Sequence, residues 1–296
     1  MGLEEYCEFR EAFLGVAVAE LGRQRPVAFA AHAVQVLGAG GGAHEGGGAA
    51  GGGAAGGGSW QRREAALFAA TASVEGLLSR VLAPPGMPPP AAAAETGTLL
   101  VPLLRAALAP PPAAASAAGV ALLLRARCKL VTALAPFLAA APAEHGLEAA
   151  LRGVLGCLPH AAATTAAAAL ESVVHLSRRC ADEIASSEPL IEALLDALGR
   201  QLADPDAERR AALISACGRV VACSASHAER FVAPFVAELQ RASATLDGAA
   251  DYLGPAYESR ARVAAQLAER LGDATAALAP LRPLPKPALV AVRTHL

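Results

Sequence analysis

Apolar residues recur at helical spacing along almost the whole chain, and runs of alternating β-branched and polar residues are absent. This pattern predicts an all-α fold. It is clearest in residues 189–202, where one stripe of the helix is apolar and another is charged. The apolar stripe comprises Leu190, Ile191, Leu194, Leu195, Leu198 and Leu202, and the charged stripe comprises Glu192, Asp196 and Arg200. We therefore expect helices that pack one face and offer the other to water or to a partner.

The predicted helices come in pairs at a regular interval. Helix starts near Ala115, Ala161, Ala207 and Pro255 are separated by 46, 46 and 48 residues, and each interval contains a second helix. This period is typical of HEAT and armadillo arrays, whose antiparallel helix pairs stack into an α-solenoid, or superhelix. The predicted pairs are 3–37, 60–108, 115–158, 161–202 and 207–246, with a partial pair from 255. For the helix near Ala207 we expect Asp204 as the cap and Pro205 in the first turn.

Three segments interrupt the helical pattern. Residues 38–58 are almost entirely Gly and Ala, so no side chains offset the entropy cost of ordering, and we expect a disordered insertion. Residues 84–92 form a Pro-rich spacer, and residues 281–296 form an irregular Pro-rich tail. The predicted organisation is therefore a first helix pair at 1–37, the insertion, an array at 59–280 that contains the spacer, and the tail.

Composition excludes several kinds of partner. Twenty-five basic and 27 acidic residues give a net charge of −2, and aromatic residues make up only 4%. Neither value suits direct binding of nucleic acid or of an anionic membrane. The longest uncharged stretches, 106–124 and 153–170, contain proline and are mostly alanine, so we expect no membrane span. The six cysteines have no paired spacing, which predicts reduced intracellular thiols.

No motif indicates catalysis, a cofactor or a metal. Residues 34–43 imitate a dinucleotide-binding glycine pattern, but no βαβ unit surrounds them. None of the seven histidines lies at i, i+4 from another, and the serines lack a Gly-x-Ser-x-Gly elbow. We therefore predict a protein that is not an enzyme, with no catalytic residue and with neither a cofactor site nor a metal site.

Particular residues carry a resemblance to a known family. A first helix contains Tyr6-Cys7-Glu8-Phe9-Arg10, and a later one begins with Trp60-Gln61-Arg62-Arg63-Glu64-Ala65 and continues through Leu67-Phe68. This order resembles the importin-β superfamily of nuclear transport receptors (karyopherins). Leu67-Phe68 after the Glu-Ala pair is similar to its transportin-SR and importin-thirteen branch. The alanine-rich helix at 166–170 before Cys180, and residues 212–234, are also similar to this branch.

The resemblance implies a nuclear import receptor that shuttles between cytoplasm and nucleus, binds nucleoporins, and releases its cargo when Ran-GTP binds. In this branch the cargoes include splicing factors rich in Arg-Ser dipeptides. The matched residues, from about 5 to about 270, correspond to the middle third of such a receptor, between its principal Ran-binding repeats and its Arg-rich cargo helix. No contact residue is therefore carried over. The alternative is a HEAT-repeat scaffold subunit of another complex, such as a phosphatase or an RNA-processing assembly.

Two sets of charged residues are candidates for a cargo or partner surface. Second helices of HEAT pairs usually line the concave side, which would place there Glu192, Asp196, Arg200, Glu238 and Arg241. The other set is a possible basic ladder that would bind acidic or phosphorylated cargo. It is formed by Arg178, Arg179, Arg209 and Arg210 at comparable places in successive repeats, followed in the next repeat by Arg260 and Arg262. The alternative interpretation of the ladder is a solvated helix edge, neutralised by the neighbouring carboxylates Asp182, Glu183, Glu208 and Glu258.

Overall fold

The structure is a computed structural model that describes residues 5, 12, 15–38, 58–82, 93–113, 115–202, 206–247 and 255–278. Within these ranges every regular element is a helix and no strand is present, which confirms the all-α fold class. The chain divides into two units, Met1–Arg179 and Cys180–Leu296. Among the helices of these ranges, none is both long enough and apolar enough to cross a membrane.

Helices of the first unit contact one another in an alternating order. They are α1 (Gly15–Gln24), α2 (Pro26–Gly38), α3 (Gly58–Val81), α4 (Ala93–Leu108), α5 (Ala117–Ala140), α6 (Pro142–His145), α7 (Leu147–Leu155) and α8 (Ala163–Arg179). The series α1, α3, α5 and α8 forms one row in which each helix packs on the next, and α2, α4 and α7 form a second row. The rows are joined because α3 also contacts α2 and α4, and α7 also contacts α5 and α8.

The second unit shows one alternating row of helix contacts. It contains α9 (Ala181–Ser186), α10 (Glu188–Gln201), α11 (Ala207–Val221), a 3₁₀ turn (Ala225–His227), α12 (Ala228–Asp247) and α13 (Pro255–Ala277). Contacts join α9 to α11 and α11 to α13, while α10 and α12 each pack against α11. Apolar side chains fill both units, and the largest fully buried ones include Phe137, Leu151 and Leu176 in the first unit and Ile184, Phe231 and Phe235 in the second.

Buried hydroxyl groups hold α8 against α5. Thr165 donates a hydrogen bond to the backbone oxygen of Ala121 at 3.0 Å, and Ser172 donates to that of Cys128 at 2.7 Å. Both hydroxyl residues are fully buried. In both bonds the donor lies 44 residues after its acceptor in the chain.

Two buried arginines bind the carboxyl end of α4, where a helix leaves carbonyl groups without intrahelical partners. Arg127 donates from Nε to the oxygen of Ala107 at 2.9 Å and from Nη2 to that of Ala109 at 2.6 Å. Arg63 donates from Nη1 to the oxygen of Pro110 at 3.2 Å. Burial lowers the pKa of both guanidinium groups. They nevertheless remain charged at neutral pH, because an arginine side chain is not deprotonated in proteins.

The structure confirms the predicted helix starts and corrects one cap. The starts near 115 and 161 are observed at Ala117 and Ala163, and those at Ala207 and Pro255 are observed as predicted. Asp204 as the cap of α11 is wrong, because the cap is Asp206, whose Oδ1 accepts a hydrogen bond from the backbone nitrogen of Arg209 at 3.0 Å. Asp206 lies three residues before Arg209, and a capping side chain accepts from the backbone nitrogen two or three residues after it.

Several predictions concern segments outside the described residues. Most of the insertion at 38–58 lies outside them, although Gly38 ends α2 and Gly58 begins α3. The spacer at 84–92, the tail at 281–296 and the segment 6–10 also lie outside them.

Candidate protein-binding surface

The exposed side of α10 supplies the first part of the candidate surface. Leu190, Ile191, Leu194 and Leu198 are buried, and Leu202 is buried just beyond the helix. Leu195, predicted on the same stripe, is half-buried. Glu192, Asp196 and Arg200 are exposed on the opposite side, which confirms the predicted division of this helix.

Helix α12 supplies the second part. It is anchored by Phe231 and Phe235, which are buried and pack edge to face with ring centroids 5.8 Å apart. Such pairs add stability beyond their buried area. Of the predicted surface residues, Arg241 is exposed and donates from Nε to the oxygen of Ala237 at 3.3 Å, and Glu238 is half-buried.

An ion-pair network joins the two helices. Arg230 on α12 donates from Nη1 to Oε1 of Glu188 and from Nη2 to Oε1 of Glu192, the second contact at 3.2 Å. Nε2 of His227, a buried residue, lies 3.7 Å from Oε2 of Glu188. The hydrogen bond to Glu188 is the main cause that raises the pKa of Arg230. We call the exposed residues Glu188, Glu192, Asp196, Arg200, Arg230 and Arg241, with half-buried Glu238, the α10–α12 surface.

Sequence reasoning identified five of these seven residues and missed Glu188 and Arg230. The signal that could have found them is the repeat interval, since Arg230 lies 42 residues after Glu188 and 38 after Glu192. These separations approach the interval between the predicted helix starts, and Glu188 and Glu192 lie on α10 while Arg230 lies on α12. A charge pair at that separation is a candidate bridge between neighbouring helix pairs.

The predicted basic ladder is wrong in one respect. Arg178 and Arg179 are the last two residues of α8, whereas Arg209 and Arg210 lie in the first turn of α11, so the two pairs occupy opposite ends of their helices. The pairs also differ in exposure, because Arg178 and Arg179 are exposed while Arg209 and Arg210 are half-buried. The two pairs therefore do not occupy comparable places on their helices.

Local contacts explain the half-burial of Arg209 and Arg210. Nε of Arg209 lies 2.9 Å from Oδ2 of Asp206, the residue that caps the same helix. Arg210 lines a pocket of about 360 Å³ between α11 and α13, together with Ile214, Arg270 and the carboxylate residues Glu208, Glu269 and Asp273. Burial, with repulsion from Arg210, lowers the pKa of Arg270, whose Nη1 donates to the oxygen of Leu202 at 3.0 Å. Arg209 and Arg210 are thus part of the packing of the second unit.

The described residues show no arrangement suited to metal binding, and two of the three thiols of the second unit have raised pKa values. No group of three or more His, Cys, Asp or Glu residues within the described ranges could hold a metal ion. Burial raises the pKa of Cys217, and burial with a hydrogen bond to Asp182 raises that of Cys223 to about 11. Both thiols therefore stay protonated at neutral pH, and a protonated thiol is a weak nucleophile.

The α10–α12 surface thus carries charges of both signs on two helices that an ion-pair network joins. No protein-family model, curated protein or solved structure matches this chain. The surface carries four carboxylates (Glu188, Glu192, Asp196, Glu238) and three guanidinium groups (Arg200, Arg230, Arg241). In protein interfaces generally, charges of both signs in a set order contribute to specificity, because a partner has to match them.

Proposed function

We propose that this chain is an α-solenoid of HEAT-type antiparallel helix pairs that forms part of a nuclear import receptor. In this proposal it belongs to the transportin-SR and importin-thirteen branch of the importin-β superfamily. It binds Arg-Ser-rich protein cargo noncovalently in the cytoplasm, and release follows Ran-GTP binding in the nucleus. Its own residues bind the cargo, and small shifts between neighbouring helix pairs change the pitch of the solenoid.

The observation that carries the solenoid proposal is the alternating contact order. In the first unit α3 packs on both α1 and α5, and α4 packs on both α2 and α7, so the alternate helices form two rows. Stacked antiparallel pairs produce this order, because each pair completes its core only by covering the next one. A closed bundle would instead bring early and late helices of the unit together.

The hydrogen bonds between α5 and α8 support the same repeat. Thr165 and Ser172 each bond to an oxygen 44 residues earlier, and they lie seven residues apart on one face of α8. Equal separations at two successive contacts are expected when two helices hold equivalent places in consecutive pairs. The interval also lies within the range of HEAT units, which is about 40–47 residues.

Support for the family comes from the residues that open α3. Trp60 is half-buried and covers Gly119 of α5, while Glu64 and Leu67 are buried. In this proposal the Trp-x-x-x-Glu-Ala pattern lies on the first helix of a pair, and its helix packs against α5, the first helix of the next pair. In this setting it is a packing motif, and the cargo contacts are assigned to the α10–α12 surface.

The cargo proposal is tested with an Arg-Ser repeat peptide. Reversing two charges of the surface, Glu192→Arg with Asp196→Arg, should weaken peptide binding several-fold and reduce its salt dependence, because attraction becomes repulsion. The matched control is Glu171→Arg, an exposed glutamate of α8 in the first unit, which should leave the affinity unchanged. Fluorescence anisotropy at two salt concentrations measures both effects. Equal affinities for all three proteins would contradict the assignment of this surface.

The transport proposal is tested by affinity capture from nuclear extract with and without GTP-locked Ran. We expect Arg-Ser-rich proteins among the captured partners, and we expect their recovery to fall when GTP-locked Ran is added. GDP-bound Ran is the matched control and should change nothing. Capture of phosphatase or RNA-processing subunits at the same level in all three conditions would favour the scaffold alternative and contradict the transport proposal.

A further inference from the structure

A pocket of about 280 Å³ lies where α1, α3 and α5 of the first unit meet. Helices α1 and α5 each pack on α3. On α3 the pocket is lined by Phe68 and Ala72, and on α5 by Leu122 and Ala126. Its volume lies just below the range of about 300–1,000 Å³ that is usual for small-molecule sites, so a small ligand would fill it.

Small residues on all three helices leave this space. Gly15 and Ala19 line it from α1, Ala72 from α3 and Ala126 from α5. Protein interiors are otherwise close-packed, with few voids larger than a water molecule. Ala126 and Glu64 are buried, whereas the other eight lining residues are half-buried. The pocket is therefore open to solvent, and a ligand can enter it while the helices stay folded.

The lining of the pocket is mainly apolar. Phe68 and Leu122 supply its largest apolar side chains. The hydroxyl group of Thr71, which also lines it, already has a partner, because Oγ1 donates to the backbone oxygen of Leu67 at 2.8 Å. An apolar chain bound here would therefore not deprive this hydroxyl of its hydrogen bond, and removal of the chain from water favours binding.

Three charged residues line the same pocket. Arg125 and Lys129 lie at positions i and i+4 of α5 and so share one face of that helix. The third is Glu64 on α3, whose exposed fraction is 8%. Two cations and one carboxylate give the lining a net charge of +1. An anionic head group is therefore favoured over a cationic one.

We infer that this pocket binds a medium-chain aliphatic carboxylate such as octanoate. The aliphatic chain lies against Phe68 and Leu122, and the head group pairs with Arg125 and Lys129. A guanidinium group can bind a carboxylate through two parallel hydrogen bonds, and the ammonium group adds a second charged donor. The inference is independent of the proposed transport function, because none of these residues belongs to the α10–α12 surface.

Isothermal titration calorimetry of the full chain tests the aliphatic part with a series of carboxylates. From butanoate through hexanoate to octanoate, the affinity should rise about fourfold for each methylene group added, because each group is removed from water. Equal affinities along the series would overturn the inference.

The head group is tested at neutral pH with octanol, which is uncharged, and with octylammonium, which is cationic. Octanoate should bind most tightly and octylammonium most weakly. Binding of octanol or octylammonium as tight as that of octanoate would contradict the assignment of an anionic head group.

Charge variants place the head group. Arg125→Gln with Lys129→Gln should weaken octanoate binding several-fold and remove its advantage over octanol. The matched control is Arg105→Gln with Arg152→Gln, which neutralises two exposed arginines of the first unit outside the pocket. The control should leave both affinities unchanged. An equal loss in the two double variants would rule out the assigned cations.

Filling the pocket tests its location. Ala72→Leu should abolish the binding of octanoate and octanol alike, because the larger side chain occupies the space of the ligand. Ala149→Leu, at an exposed position of α7, is the matched control and should bind both as the wild type does. Circular dichroism and thermal melting establish that each variant is folded. Wild-type affinity in folded Ala72→Leu would show that the ligand does not occupy this pocket.

Photolabelling of the wild-type chain locates the ligand without any substitution. A diazirine analogue of octanoate should label the tryptic peptides 64–80 and 106–125, which contain lining residues of α3 and α5. An excess of octanoate should prevent the labelling. Label confined to other peptides, or label with which octanoate does not compete, would overturn the inference even if Ala72→Leu fails to fold.

Discussion

The indole ring of Trp60 on α3 lies directly against the backbone of Gly119 on α5 and leaves no space there for another side chain. A Cβ atom placed on Gly119 would lie 2.8 Å from Cδ2 and 2.9 Å from Cε2 of the ring, well inside van der Waals contact. The backbone nitrogen of Gly119 also donates to Oγ of Ser116, the cap of α5, at 3.1 Å. Close approach of α3 and α5, at a capped helix start, therefore requires glycine at this position.

Gly119→Ala should destabilise the protein by about 1–3 kcal/mol, because the methyl group forces the Trp60 ring or α5 to move. Urea denaturation followed by circular dichroism measures the change. The matched control is Gly199→Ala in α10, where nothing lies within 4 Å of the added atom. That substitution should stabilise by about 0.5–1 kcal/mol through helix propensity. Equal effects of the two substitutions would disprove the close contact.

Gly218 makes a similar contact in the second unit. A Cβ on this residue would lie 2.2 Å from Cβ and 3.3 Å from Cα of Ala277, so the obstacle includes backbone that cannot rotate away. Gly218→Ala should therefore separate α11 from α13 and lower stability by about 1–3 kcal/mol. Gly272→Ala in α13 is the control, since its added atom meets nothing within 4 Å. Thermal melting of both variants decides whether this crossing is as tight as described.

Thr165→Val should remove the hydroxyl that joins α8 to α5 while keeping the shape of the side chain. Loss of a buried hydrogen bond of this kind costs about 1 kcal/mol. Thr164→Val, one residue earlier and only half-buried, is the matched control and should change stability by less than half of that amount. The free energy of unfolding is measured for both. A larger loss from the control would mean that the bond from Thr165 to Ala121 does not stabilise the unit.

Leu194→Asp should unfold the part of the second unit around α10. Leu194 is fully buried, and a carboxylate there has no charged partner, so the expected cost is several kcal/mol. Leu195→Asp, at the neighbouring half-buried position, should cost less because water reaches the new carboxylate. Limited proteolysis compares the two variants with the wild type. Protection of Leu194→Asp at the wild-type level would contradict the burial of this residue.

Acid should weaken the start of α11 through Asp206. The hydrogen bond from the Arg209 backbone nitrogen is the main cause that holds the pKa of Asp206 below its usual range. Because the folded pKa is below the unfolded value of about 3.9, the carboxylate stabilises the fold above that pH, and the effect is lost as pH falls through the folded pKa. Asp206→Asn keeps a capping oxygen but cannot titrate. The melting-temperature difference between wild type and variant should stay constant from neutral pH to about 5 and shrink below it. A difference that is independent of pH would contradict this role.

Helix positions could be predicted from the sequence because alanine, leucine and arginine have high helix propensity. The starts of α11 and α13 fell on the expected residues, and those of α5 and α8 lay two residues later. The cap of α11 could not be chosen because Asp204 and Asp206 both satisfy the preference for aspartate before a helix. The choice depends on where the first turn begins, which packing decides.

The charged surface was harder to read because a side chain's partner depends on its place in three dimensions. The stripe of Glu192, Asp196 and Arg200 follows from helical period alone, and it was found. The ion pairs from Arg230 to Glu188 and Glu192 join two helices, and no local sequence pattern predicts them. The prediction that the two arginine pairs occupy comparable places was wrong because it relied on residue type alone. Arg178 lies at the end of its helix, whereas Arg209 lies at the start of its helix.

The alternating contacts of the first unit also bear on how the chain is made. Its main helix contacts reach no further than three helices along the chain, as from α5 to α8. During synthesis on a ribosome, each helix therefore meets its neighbours soon after it emerges, and little entropy is lost in closing long loops. In a growing chain of this kind, an apolar helix face waits only for a helix at most three positions ahead. A short wait limits the time for which apolar surface is open to aggregation.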